Sequence, residues 1–192
     1  MSGAWGLRSE RRGAAWARMK TTLVLTLIGR DQPGLVRAVA SAIAGHEGNW
    51  LESRMCRLGG EFAGIVRLEI EATRVEALAV ALRELAGLRV DVTKEDGGAA
   101  EAVGARRLAS LDLVGSDRPG ILREVSAVLA AHGLNVEDLA SERTEAPMGG
   151  GQLFQLRAVA SVPEGVELRA VQADLEKLAA DLMVELKLEA KA

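Results

Sequence analysis

The chain repeats itself. Gly29-Arg30-Asp31-Gln32-Pro33-Gly34-Leu35 returns as Gly115-Ser116-Asp117-Arg118-Pro119-Gly120-Ile121. Asp31 and Asp117 stand 86 positions apart, and the same offset pairs Arg37 with Arg123, Val39 with Val125, His46 with His132 and Asn49 with Asn135. Across 29–49 and 115–135, nine of 21 positions are identical without a gap. Such a repeat constrains the fold more than any local propensity, because both copies must form the same supersecondary unit. A length of 192 residues suits two small domains. Gly97-Gly98-Ala99-Ala100 lies between the copies in a stretch of small and polar residues. The expected division is therefore a domain over 21–95, a linker over 96–106 and a domain over 107–192.

Each copy shows the same order of hydrophobic periods. Thr21–Ile28 and Leu108–Val114 are β-rich runs, the second alternating Leu111, Asp112, Leu113. The Asp-x-Pro-Gly turn follows. Leu35, Val39 and Ile43, with counterparts Ile121, Val125 and Leu129, then repeat at helical spacing. Asp31 and Asp117 are expected as N-caps, with the proline in the first turn. A hairpin comes next: Leu51–Leu58, Gly59-Gly60 and Glu61–Ile70 in copy one, Val136–Arg143, a longer loop and Gln152–Ala160 in copy two. Val75, Leu78, Leu82 and Leu85 mark a second helix, as do Val171, Leu175, Leu178 and Leu182. Arg89–Thr93 and Val184–Leu188 close the units as strands. The order βαββαβ, twice, predicts an α+β chain of two ferredoxin-like domains, each an antiparallel sheet with both helices on one face.

Composition removes several function classes. The net charge is −3, aromatic residues are 3% and tyrosine is absent, so neither a basic footprint nor a stacking platform for nucleic acid is present. No apolar run reaches the roughly 18–20 residues that span a bilayer. The single cysteine, Cys56, cannot close an intrachain disulfide, and two histidines leave little for a metal cage. Cys56 is expected as a packed thiol in a strand, His46 and His132 as structural residues near helix ends, and Arg54 and Arg57 as solvent-facing or partner-contacting. No phosphate loop, nucleophile elbow or paired nucleophile and base is visible, so no catalytic residue, metal or cofactor is expected. Residues 1–20 stand apart. Arg8, Arg11, Arg12 and Arg18 face one acid, Glu10. This segment reads as a disordered tail or an over-long start with Met19 as initiator; its basic character also fits an organellar transit segment.

The repeated Gly-x-Asp-x-Pro-Gly-[Leu/Ile], the helix after it and the asparagine beyond that helix resemble ACT domains. These are small ferredoxin-like regulatory modules that bind amino acids. Copy one adds Gly48-Asn49, Glu52-Ser53-Arg54-Met55, Leu58-Gly59 and Glu61-Phe62, and so resembles the glycine cleavage system transcriptional repressor family of tandem ACT proteins. The resemblance implies an effector bound between paired modules, at the turn and helix start of one and a strand of the other. By position that site maps to Asp31, Gln32, Pro33, Gly34 and Leu35 with Asn49, and to Asp117, Arg118, Pro119, Gly120 and Ile121 with Asn135. Copy two departs from the pattern: Asp138-Leu139-Ala140-Ser141 replaces Glu52-Ser53-Arg54-Met55, and Pro147–Gly151 replaces the tight turn. The two sites are therefore expected to be non-equivalent.

The residue chemistry fits such a ligand. A helix N-terminus offers unpaired N–H groups and partial positive charge to a carboxylate, and glycine permits close approach. An asparagine amide can serve both ends of a zwitterion, or it can simply be a turn residue in a left-handed conformation. The reading that results is a cytoplasmic, non-enzymatic regulator that senses a small amino acid, glycine by resemblance, and controls a protein partner such as a transcription factor or enzyme. It is expected to form a homodimer or higher homo-oligomer, without direct nucleic-acid or membrane contact. The alternatives are a ligand-free interaction module and a detached regulatory subunit of an amino-acid or one-carbon metabolic enzyme.

Overall fold

Each copy builds one four-stranded antiparallel sheet from every second residue of its central strands. The structure, a computed structural model, describes residues 19–95, 107–147 and 150–191. It separates into two compact units, Met1–Ala100 and Glu101–Ala192. The leader 1–18 and the linker 96–106 lie outside the described residues.

In the first unit β1 is Lys20–Arg30, α1 Leu35–Gly45, β2 Asn49–Leu58, β3 Glu61–Glu71, α2 Val75–Arg83 and β4 Arg89–Lys94. In the second, β5 is Arg107–Ser116, α3 Ile121–Ala131, β6 Asn135–Glu145, β7 Gln152–Val162, α4 Leu168–Leu182 and β8 Val184–Lys191. The sheets run β2-β3-β1-β4 and β6-β7-β5-β8. All pairs are antiparallel, with Leu25 opposite Val66 and Leu113 opposite Leu156. The α+β, double βαββαβ architecture read from the sequence is the one observed.

The period of two decides which side is core. Leu23, Leu25 and Leu27 of β1 and Phe62, Val66, Leu68 and Ile70 of β3 are buried. Leu35, Val39 and Ile43 of α1 and Val75, Leu78 and Leu82 of α2 cover them. The second unit repeats this with Ile121, Val125 and Leu129 over Leu111, Leu113 and Leu156, and with Val171 and Leu175 from α4. No polar or charged residue is buried among the described residues. Each unit is held by apolar burial on one face of its sheet, at about 25 cal/mol per Å².

A polar contact joins the helices of the second unit, and a close backbone approach fixes the first. His132, at the end of α3, places Nε2 3.0 Å from Asp174 Oδ2 on α4, while Lys177 Nζ donates to Asp174 Oδ1 at 2.7 Å. Lys177 first, and His132 second, hold the Asp174 carboxyl below its usual range. In the first unit, Gly29 of β1 runs against the turn after α2: a Cβ at Gly29 would lie 2.0 Å from Gly87 O. That is a backbone contact and cannot yield as a side chain would.

Gly29→Ala should therefore destabilise the first unit by about 1–3 kcal/mol through overpacking. Gly45→Ala ends α1 in open space and should stabilise it by up to about 1 kcal/mol. Thermal unfolding of both variants checks the contrast. For Asp174, the depressed folded value means that its contribution is complete above about pH 4 and is lost as pH falls through that value. A carboxyl titration by NMR should place Asp174 below the ordinary aspartate value, and Lys177→Gln should move it upward.

Candidate effector sites at the helix starts

β1 leaves the sheet at Arg30, and the next residue is fixed twice. Asp31 N–H donates to Gly60 O at 2.9 Å, and its carboxylate pairs with Arg57 Nε of β2 at 2.6 Å. The second unit does the same. Asp117 N–H donates to Gln152 O at 2.8 Å, and Asp117 Oδ2 lies 3.0 Å from Arg143 Nε of β6. The two arginines stand 86 positions apart, like the two aspartates.

This arrangement corrects the sequence reading of the turn. Asp31 and Asp117 are not N-caps. The helices begin at Leu35 and Ile121, with Gly34 and Gly120 in the capping position and no side-chain cap. Pro33 and Pro119 precede the cap instead of occupying the first helical turn. The physical reason is that each carboxylate is held across the sheet by an arginine, four residues before the helix starts. Gly34 and Gly120 have φ of 98° and 100°, a left-handed conformation that admits the chain to the helix and disfavours a side chain. The first-turn N–H groups are left without a side-chain acceptor, and a helix start in that state favours a carboxylate.

The two helix starts differ in what lies above them. At Gly34 a Cβ would meet nothing within 4 Å. Gln32 is turned away, its amide lying against Gly87. At Gly120 the Glu124 carboxylate stands 3.4 Å from the corresponding point. Arg118 Nη2 donates to Glu124 Oε2 at 3.1 Å, and Arg123 Nη2 lies 3.6 Å from Oε1. The residue equivalent to Glu124 in α1 is Ala38. The second helix start therefore carries its own anion, and the first does not.

Asn49 and Asn135 open β2 and β6, opposite Glu69 and Ser161. They are strand residues, not left-handed turn residues. The left-handed positions are Glu47, at φ 58°, and Gly133, at φ 72°. Asn135 Nδ2 donates to Glu137 Oε1 at 3.2 Å. Within a unit the asparagine and the helix start do not meet: the eleven residues of α1 separate them by about 16 Å. The structure thus brings Asp31, Gln32, Pro33, Gly34 and Leu35 together and leaves Asn49 at the other end of the sheet. The same holds for Asp117, Arg118, Pro119, Gly120 and Ile121 against Asn135.

Four other residues complete the account. Cys56 is exposed, which corrects the expectation of a packed thiol. It pairs with Ala63 on the sheet face that carries no helix. Arg57 sits on the helix side opposite Phe62 and engages Asp31, whereas Arg54 is exposed. The sequence held a signal for Arg57 and Arg143 in their shared offset, but the offset does not reveal which acid each one meets. His46 Nδ1 lies 2.8 Å from Ala42 O, inside its own helix. No cluster of three metal-ligating side chains occurs among the described residues, and no described helix is long and apolar enough to cross a membrane.

The ACT-domain profiles match residues 21–93 and 109–179. The chain belongs to the ACT-domain family. It carries two such domains in tandem, each with the turn, uncapped helix start and four-stranded sheet described above. A crystal structure of an unknown protein from Galdieria sulphuraria is similar over 91% of this chain and 100% of its own, at 27% identity and a TM-score of 0.82. A second, provisionally named a glycine cleavage system transcriptional repressor, aligns over 90% of this chain and 98% of its own, at 19% identity and a TM-score of 0.67. The latter likeness is one of fold. No curated protein matches the chain.

Exposed ion pairs are worth little, so the two Asp–Arg pairs act on orientation more than on stability. A double-mutant cycle on Asp31→Asn and Arg57→Gln should give a coupling of no more than about 1 kcal/mol. The same size is expected for Asp117→Asn with Arg143→Gln, and 1 M salt should shrink both.

Proposed function

We propose that this ACT protein is a cytoplasmic, non-catalytic regulator that binds a small amino acid at interfaces between ACT modules and signals occupancy to a partner protein. The observation that carries the reading is the open helix start at Gly34, uncapped and held in place by the Asp31–Arg57 pair. An amino acid's carboxylate suits those N–H groups. Its ammonium needs an acceptor, and Asn49 of the same unit stands too far away to supply one. An antiparallel approach of a second module's β2 edge would bring Asn49 of one module beside the Leu58 end of the other's β2, the end where Arg57 holds Asp31 ahead of the Gly34 helix start. This geometry supports a shared site of the kind the family resemblance implies.

The effector favoured by resemblance is glycine, with control of glycine cleavage as the process. At a ceiling of about 1.5 kcal/mol per heavy atom, glycine gains at most roughly 7–8 kcal/mol, which corresponds to low micromolar affinity. Regulation then requires that one packing arrangement bind the ligand better than another. The Glu124 carboxylate, held by Arg118, favours the first domain as the binding copy, with the second copy's helix start self-occupied.

A thermal-shift titration with the twenty amino acids tests this. One amino acid should raise the melting temperature by several degrees, since about 2.7 kcal/mol is gained at a hundredfold excess over Kd. Asn49→Ala should remove most of that shift, and Asn135→Ala should leave it unchanged. A shift with none of the twenty would replace the sensor with a ligand-free interaction module. Equal losses from both variants would overturn the inequality of the copies.

A further inference from the structure

The second sheet carries a hollow on the side away from its helices. Gln155 and Arg157 of β7 alternate with the buried Leu156 and Ala158, so they belong to the outer side. Register sets Ala140 of β6 opposite Arg157 and Glu142 opposite Gln155. These four residues, with Ser141, line a hollow of about 210 Å³. Pockets for drug-sized ligands begin near 300 Å³, so this one suits a smaller molecule. Its floor is open because Ala140 carries only a methyl group.

The walls are charged and do not close on each other. Glu142 and Arg157 stand diagonally on neighbouring strands, about 7–8 Å apart. Their side chains are long enough to meet across that gap, yet Glu142 forms no ion pair with a described residue. Arg157 is drawn to the other side, where its Nε lies 3.7 Å from Asp112 Oδ1 on β5. That separation is longer than a hydrogen bond, and it leaves both Nη groups without an acceptor among the described residues. Gln155 Nε2 donates to Thr144 Oγ1 at 3.3 Å, so its Oε1 remains as an acceptor. In the first sheet the same four positions hold Arg54, Cys56, Ala63 and Ile65. A long side chain replaces the methyl floor there, and neither the carboxylate nor the arginine opposite it is present.

We infer that this hollow on β6 and β7 binds a free α-amino acid as its zwitterion, with the carboxylate on the Nη groups of Arg157 and the ammonium on Glu142. The guanidinium fork matches a carboxylate with two parallel N–H donors. The surrounding charge selects the ligand's side chain. Lys187 is paired with Glu189, so Asp112, Asp138, Glu142 and Glu185 outnumber Arg157 on this face. Neutral and basic amino acids fit that field, and acidic ones are repelled. Both charged partners are exposed, so the affinity is on the order of millimolar. The site shares no residue with the helix start at Gly34 or with Asn49, and it stands or falls independently of them.

The experiment is an amide NMR titration of the full, isotope-labelled chain with L-alanine, L-lysine and L-glutamate. Alanine and lysine should give saturable shifts at residues 140–142 and 155–157, and glutamate weaker ones. N-acetyl-L-alanine lacks the ammonium and L-alaninamide lacks the carboxylate, and each should bind about tenfold more weakly than alanine. Glu142→Gln and Arg157→Gln should each weaken alanine binding about tenfold as well. Asp112→Asn, which releases Arg157, should tighten it about twofold to fivefold, an effect that a merely structural role for Arg157 would not produce. The same spectra show that each variant is folded. Asn49→Ala should leave all these shifts in place. Saturable shifts around Gly34 alone would support the helix-start site and overturn this one. So would shifts at 140–142 that survive in both Glu142→Gln and Arg157→Gln, or equal binding of alanine and its blocked forms.

Discussion

A sheet covered on one side only governs this protein. Leu23, Leu25 and Leu27 go inward, and Val24, Thr26 and Ile28 therefore go outward, because successive residues of a strand face opposite ways. Two helices suffice to cover the inward set. They leave a second face, two edge strands and two helix starts per domain to be used by something else. A small domain with a thin core has little other surface to specialise, and duplication offers a way to specialise one copy at a time.

The two copies show how that freedom is used. Their backbones agree down to the left-handed glycine before α1 and α3 and the bulges at Trp50/Glu52 and Val136/Asp138. Their Asp–Arg pairs agree as well. Side chains that touch neither core nor turn have diverged. Ala38 stands where the second copy has Glu124, and a helix start open in one copy holds a carboxylate in the other. Ile65 stands beside Thr26 in the first sheet, and at the corresponding positions of the second Arg157 pairs with Asp112.

Much of the fold was legible in the sequence. Leu35, Val39 and Ile43 at helical spacing, Phe62, Val66, Leu68 and Ile70 at period two, and the repeat itself suffice to give βαββαβ twice. Those signals are strong because the core is made of regular elements whose periods differ. The candidate site was less legible. Asp31 looked like a cap because acids before a helix usually are, but Arg57, 26 positions later, holds its carboxylate. Cys56 looked packed because cysteines in strands usually are, and it faces away from the helices. Asn49 was expected as a contact from a paired module, and within its own unit a whole helix separates it from Gly34.

The sequence by itself determined the elements, their order, the core and the existence of two related domains, because hydrophobic period and turn chemistry are local properties of the chain. Tertiary structure alone decided which carboxylate meets which arginine, which helix start stays open and which face of each sheet lacks a cover. Those outcomes depend on register between strands that the chain brings together from far apart. A shift of one residue in that register would exchange the inner and outer sets, and no local pattern around Asp31, Cys56 or Glu124 records it.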